Sequence, residues 1–200
     1  MDSGWVRRQL LLWGLVGLGM LGLVAARRAP SSLPDYGTVP SFALVNQEGR
    51  AFTRVDLEGT VWIADFIFTS CAGQCLLMSD QLRALQRTYA DAADLRFISF
   101  SVHPAHDTPE RLSAYAARHG ADARWQLLTG ERAALYALCQ QGFRLAVGED
   151  AASAREPIVH SVRLVLVDRA GRIRGYYEAT DAQAMGRLRR DARQLLEGPG

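Results

Sequence analysis

The sequence contains no lysine; all 23 of its basic residues are arginine. Beside its abundant alanine, that absence reads as codon bias from a GC-rich genome and carries no chemical message. An excess of one charge is also missing. Twenty-one acidic residues leave a net charge of +2 at neutral pH. The arginines are scattered, so no element carries the basic patch that a nucleic acid partner requires. Cysteine is scarce, at three residues, which excludes a disulfide-dense miniprotein. There is no internal repeat, no collagen-like period and no sign of disorder. What remains is a 48% hydrophobic chain of 200 residues, a length that suits one domain with appendages.

Long apolar runs are confined to one place. Leu10 to Ala26 carries no charge and is flanked by Arg7 and Arg8 before it and Arg27 and Arg28 after it. At ~1.5 Å per residue this run reaches roughly 25 Å, the short end of what spans a bilayer core of about 30 Å. Trp5 and Trp13 suit a membrane interface. A retained N-terminal transmembrane helix over 1–28 is the preferred reading. The rival is a cleaved signal peptide, for which Val24-Ala25-Ala26 offers small residues. No cysteine lies in or just after the run, which argues against a lipoprotein anchor. The balanced arginine pairs do not set an orientation. Residues 29–39, with Pro30, Ser31, Ser32, Pro34 and Gly37, read as a linker, and 40–197 as the folded domain.

Within that domain, Phe42 to Val45 and Ala51 to Thr53 flank Asn46-Gln47-Glu48-Gly49 as a short hairpin. Val61 to Phe68 is a nearly continuous apolar run, as in a buried central strand. Met78, Leu82, Leu85 and Tyr89 follow at helical spacing. Leu95 to Val102 reads as a second strand. Thr108 and Pro109 start a helix ending at Gly120, with a hydroxyl N-cap and a proline in the first turn. Thr129 reads as the start of a further helix carrying Leu135, Leu138 and Cys139. Val162 to Val167 and Ile173 to Tyr177 form a terminal hairpin. Thr180 and Gln183 read as a capping box opening a last helix with Met185, Leu188, Ala192 and Leu195 as its apolar stripe. Strands alternating with helices predict a parallel pair joined by a crossover, and the terminal hairpin adds antiparallel strands. This order predicts an α/β, thioredoxin-like fold: a central mixed sheet flanked by helices, preceded by an N-terminal β-hairpin.

Cys71 and Cys75 fall where the first core strand gives way to a helix. They are separated by three residues, not the two of a thioredoxin motif. A helix N-terminus offers unpaired N–H groups and the positive end of a dipole, which predicts lowered thiol pKa values. Thiolate is the form that attacks disulfides and the form that binds metal. The pair alone leaves open a structural disulfide, a redox dithiol and a soft metal site. An imidazole nearby would suit copper in both oxidation states.

His160 is the candidate imidazole. It lies just before the strand Val162 to Val167, whose entry in such a fold lies against the cysteine loop. His119, at a helix end before Gly120, reads as a cap or surface residue. Met78 and Cys139 read as core. Asp65, inside an apolar strand, is either a satisfied structural carboxylate or a proton carrier for the thiols.

Four stretches carry a resemblance: DFIFTSCAGQCLLMSDQLRALQ, ISFSVHPAHDTPERLSAYA, IVHSVRLVLVDRAGRIRGYY and the N-terminal anchor. Over most of Pro40 to Leu196 the chain resembles the Sco/SenC family of copper chaperones. The resemblance implies one copper ion per chain, Cu(I) or Cu(II), held by Cys71, Cys75 and His160. It implies a role in building the binuclear copper centre of cytochrome c oxidase, as copper donor or as thiol reductant of the copper-receiving subunit. Other periplasmic copper carriers or thiol–disulfide oxidoreductases are further implied partners. The implied location is a bacterial inner membrane, crossed once, with the C-terminal domain in the periplasm. A metal-independent thiol–disulfide oxidoreductase using Cys71 and Cys75 is the alternative.

Two departures stand out. The family places proline after the second cysteine and often after the first, where this chain has Leu76 and Ala72. It also places aspartate before the proline that follows the second core strand, where this chain has His103-Pro104. His103 and His106 then form an H-x-x-H, read either as loop residues with His106 exposed or as an auxiliary copper ligand at His103.

Overall fold

The computed structural model describes residues 33–71, 73–149 and 158–198. The apolar run Leu10 to Ala26 lies outside them. Among the described residues no helix is long and apolar enough to cross a membrane.

The centre of the molecule is β3, Val61–Ile67, in which every residue is buried. That explains its unbroken apolar character: a strand covered on both faces has no solvent side to make polar. β4 (Leu95–Ser101) and β5 (Trp125–Thr129) extend the sheet in parallel from one side of β3. β8 (Arg163–Val167) and β9 (Ile173–Glu178) extend it antiparallel from the other. The N-terminal hairpin, β1 (Ala43–Asn46) and β2 (Ala51–Thr53), docks antiparallel on β5. The seven-stranded order is β2-β1-β5-β4-β3-β8-β9. A separate two-stranded ribbon pairs β6 (Val147–Glu149) with β7 (Ile158–His160).

Among the described residues four α-helices accompany the sheet. α1 (Gln74–Thr88) buries Cys75, Met78, Leu82 and Leu85, an i, i+3, i+7, i+10 stripe facing the core. α2 (Pro109–His119) starts as the sequence predicts, with Thr108 accepting from the Arg111 N–H at 3.5 Å and proline in the first turn. It ends at Gly120, whose φ of 67° is the left-handed cap geometry that glycine adopts without a Cβ penalty. α3 (Arg132–Ala137) runs on into a π-type turn over Leu138–Gly142. α4 (Ala182–Glu197) buries Ala184, Met185, Leu188, Ala192 and Leu195.

Three expectations are corrected. Thr129 does not open a helix; it ends β5, and the helix begins at Arg132. β5 is thus a strand where the pattern predicts none, and the parallel part of the sheet has three strands, not two. The cap of α4 is Asp181, whose carboxylate accepts from the Gln183 N–H at 2.8 Å; Thr180 instead donates to Glu178 at 3.2 Å. A carboxylate one residue closer to the first turn outcompetes the hydroxyl for the unpaired N–H.

Strand alternation divides β3 into two sides. Trp62 and Phe66 share one side with an aromatic cluster. Phe66 stacks on Phe100 with centroids 5.1 Å apart, and Phe143 packs edge-on against Phe66 at 5.2 Å and Trp62 at 6.0 Å. Ile63, Asp65 and Ile67 point to the other side. There Asp65 pairs in register with Ser99, and Ile67 with Ser101.

The chain enters this domain as a strap. The Tyr36 N–H donates to Ile173 O at 3.0 Å and the Val39 N–H to Gly171 O at 2.9 Å. Asp35 pairs with Arg172, and Arg174 donates to Leu33 O at 2.7 Å. From this hold on the β8–β9 turn the chain continues to β1, beyond β5.

Candidate metal and thiol site

β3 ends at Ile67, the Cys71 N–H donates to Phe68 O at 3.2 Å, and α1 starts at Gln74. Cys71 sits in the loop and Cys75 in the first turn of α1. Both are buried, and none of the described cysteines is in a disulfide. The structure brings the pair together: the Cys75 side chain is hydrogen-bonded to Cys71 and to the Phe68 backbone.

The lowered thiol pKa expected from the helix N-terminus is not what Cys75 shows. Its pKa is pushed far up, first by the hydrogen bond with Cys71, then by burial, with the negative charge of Asp65 adding to both. A proton held between two buried sulfurs beside a carboxylate outweighs a helix dipole. Cys75 is therefore a protonated partner within a pair.

Behind the pair stands Tyr115 of α2. Its hydroxyl lies 3.5 Å from Cys75 O and 2.8 Å from Ser79 Oγ. Burial raises its pKa, so it stays a neutral phenol. His119, one turn further along α2, is not a surface residue. It is buried, with its ring 4.3 Å from that of Tyr115, and burial lowers its pKa. Met78 and Cys139 are fully buried, as expected. The Cys139 thiol donates to Leu145 O at 3.7 Å, and burial pushes its pKa up to about 12.

A clasp holds the cysteine loop in place. Asp107 is fully buried and its carboxylate accepts from four donors. Thr69 supplies its N–H at 3.2 Å and its hydroxyl at 2.6 Å. Ser101 supplies its hydroxyl at 2.7 Å, and His106 its Nδ1 at 2.9 Å. The Ser101 oxygen in turn accepts from the His103 N–H at 3.0 Å. The clasp thus joins the β3–α1 loop to the β4–α2 loop. Sequence reasoning assigned no part to Asp107, Thr69, Ser101 or Tyr115. Thr69-Ser70-Cys71 and Asp107-Thr108-Pro109 are visible in the sequence, but only as a strand end and a helix start.

His160 is the last residue of β7, in register with Val147; its side chain lies outside what is described. β8 runs antiparallel to β3, so its entry lies at the end of the sheet where β3 stops and the cysteine loop begins. The backbone that carries His160 therefore approaches the same end of the sheet as Cys71 and Cys75. His106 is half-buried and not exposed, and His103 is partly buried too, with its ring parallel to that of His106.

A thiol pair at a strand-to-helix junction, on a mixed sheet flanked by helices, defines a protein of the thioredoxin-like class. Within that class the chain belongs to the SCO1/SenC family, whose model matches residues 31–196. It is 31% identical over 168 residues to the SCO1 protein homolog of Bacillus subtilis, covering 82% of this chain and 86% of the relative. Its structure superimposes on a SCO1/SenC family lipoprotein from Bacillus anthracis with a TM-score of 0.76 at 29% identity, covering 84% of this chain and all of the other. Copper-bound ScoI of Bradyrhizobium japonicum matches with a TM-score of 0.62 at 25% identity, covering 77% and 99% of the two chains.

Proposed function

We propose that this chain binds one copper ion through Cys71, Cys75 and His160 and serves the assembly of cytochrome c oxidase. The observation that carries this reading is the meeting of two buried sulfurs, hydrogen-bonded to each other, at the junction of β3 and α1. The donor chemistry fits: thiolates are soft ligands that select Cu(I), and an imidazole extends the set to Cu(II). A relative with bound copper, ScoI of Bradyrhizobium japonicum, supports the choice of metal. Copper is cargo on this reading, passed to the copper-receiving subunit of the oxidase, and the same thiols could reduce that subunit's cysteines.

In this chain, Cys71 and Cys75 would supply the sulfurs and release the proton now held at Cys75. The Asp107 clasp would keep their loop from spreading, and Tyr115 would seal the site from behind. Leu10 to Ala26 would anchor the chain in the bacterial inner membrane with the domain in the periplasm. Thiol–disulfide exchange without metal is the second reading, favoured by the hydrogen-bonded thiols themselves. BsSco, a Sco family member in which a disulfide switch has been identified, matches this chain with a TM-score of 0.72 at 28% identity.

Copper titration of the reduced full-length protein separates the two. The expected result is one tightly held ion per chain and a thiolate-to-copper charge-transfer absorption, with both lost in Cys71→Ser and Cys75→Ser. His160→Ala should weaken the Cu(II) form more than the Cu(I) form, because two thiolates alone satisfy Cu(I). Unchanged Cu(II) affinity and spectrum in His160→Ala would remove His160 from the site and leave the dithiol reading.

A further inference from the structure

The clasp does more than hold a loop: the geometry points to a second copper site, selective for Cu(II), formed by His103 and His106 and independent of the cysteines. Asp107 already receives hydroxyl donors on both carboxylate oxygens, from Thr69 and from Ser101. The ring nitrogen of His106 that faces it at 2.9 Å must therefore also be a donor, so Nδ1 carries the hydrogen. In the neutral ring that fixes the tautomer, with the lone pair on Nε2. A carboxylate accepting from one imidazole nitrogen while the other is left to coordinate is the arrangement that prepares a histidine for metal.

His103 provides the second imidazole. The two rings are nearly parallel, 11° apart in plane and 5.3 Å between centroids. A tight turn fixes their backbones, with the N–H groups of His106 and Asp107 both donating to His103 O at 2.9 Å. The His103 Nδ1 is buried and has no hydrogen-bond partner among the described residues. No such bond has to be given up when this ring turns toward a shared ion, and a buried polar nitrogen without a partner is itself costly.

Among the described residues no group of three His, Cys, Asp or Glu converges to hold a metal ion. The site therefore rests on two protein nitrogens, with water completing the coordination. Two neutral imidazoles without sulfur suit Cu(II), which binds nitrogen sites more tightly than the other divalent first-row ions. Thr69 joins this pair to the cysteine loop: its hydroxyl lies 3.4 Å from His106 Nδ1, two residues before Cys71. A cupric ion held here would sit on the element that borders the thiol pair.

The test removes the thiol site first, so that failure here and failure of the thiolate reading are separable. Full-length Cys71→Ala/Cys75→Ala protein is titrated with Cu(II) and followed by electron paramagnetic resonance and visible absorption. The expected outcome is one cupric ion with nitrogen hyperfine structure and no thiolate charge-transfer band. Adding His103→Gln or His106→Gln should weaken it by more than about tenfold, since losing even an outer-shell partner of a metal ligand costs about 10–100-fold. Adding His160→Ala should leave it in place. In the cysteine-free protein without further substitution, sub-stoichiometric Cu(II) should broaden the imidazole resonances of His103 and His106 before those of His119 and His160. No cupric binding without the cysteines would overturn the proposal. So would binding that survives loss of both His103 and His106, binding lost with His160 alone, or broadening that begins elsewhere.

Discussion

At the scale of single residues, the behaviour of the thiols follows from their surroundings. Cys71 is 6% exposed and Cys75 fully buried, and the Cys75 proton is strongly held. In the metal-free protein, alkylation followed by mass spectrometry should label Cys71 before Cys75, with Cys75 gaining reactivity only as the pH becomes alkaline. His119 carries a second prediction. Burial holds its pKa below the ordinary 6.5, so the unfolded chain takes up this proton more readily than the folded one. The corresponding stability is intact above the unfolded value and is lost as pH falls from there through the folded value. Urea denaturation as a function of pH should show that loss, and His119→Gln should flatten it. The cysteines were legible in the sequence because a strand-like run ends just before them and a helical stripe begins with them. Asp107 was not. Asp-Thr-Pro is fully explained as a helix start, and nothing local reveals that Thr69, 38 residues earlier, returns to it.

At the scale of elements, the clasp couples two loops through one buried carboxylate. Asp107→Ala should destabilise the fold by about 3 kcal/mol, the upper end of the cost of leaving buried donors without an acceptor. It should also speed amide exchange at Thr69, whose N–H loses its acceptor; equilibrium denaturation and hydrogen exchange measure the two effects. β5 shows why one strand escaped the sequence reading. Trp-Gln-Leu-Leu-Thr is five residues long, lacks β-branched residues before Thr129, and ends in a hydroxyl followed by Gly130, which imitates a helix start. Its identity comes from partners far away in sequence: Phe97 opposite Trp125, and Val45 opposite Thr129. The Trp125 Nε1–H donates to Ser99 Oγ at 2.9 Å, which reconciles a buried indole with its polar handle. The β6–β7 ribbon was equally hidden, because three-residue strands carry too little pattern to read.

At the scale of the whole molecule, the sheet gathers its candidate site at one end. The cysteine loop, the His103–His106 turn and the β7–β8 junction all follow from the C-terminal ends of β3 and β4 or from the start of the strand antiparallel to them. This clustering was legible as soon as the alternation of strands and helices was read, since parallel strands direct their following loops to one end. The packing beneath it was not. Phe143 follows an irregular π-type turn, yet it ties α3 to Trp62, Phe66 and Phe100. Phe143→Ala should cost roughly 3–5 kcal/mol, as for other fully buried aromatics, measurable by chemical denaturation.

The strap at Leu33 to Val39 has a mechanical consequence. It holds the β8–β9 turn, and that turn lies at the end of β3 remote from the cysteines, since the Gly59 N–H just before β3 donates to Arg169 O at 3.1 Å. A pull applied ahead of Leu33 is therefore borne first by the Asp35–Arg172 pair and the backbone bonds to Ile173 and Gly171. The load enters at one pole of the sheet and the thiol pair lies at the other, so tension on the strap does not reach the sulfurs directly.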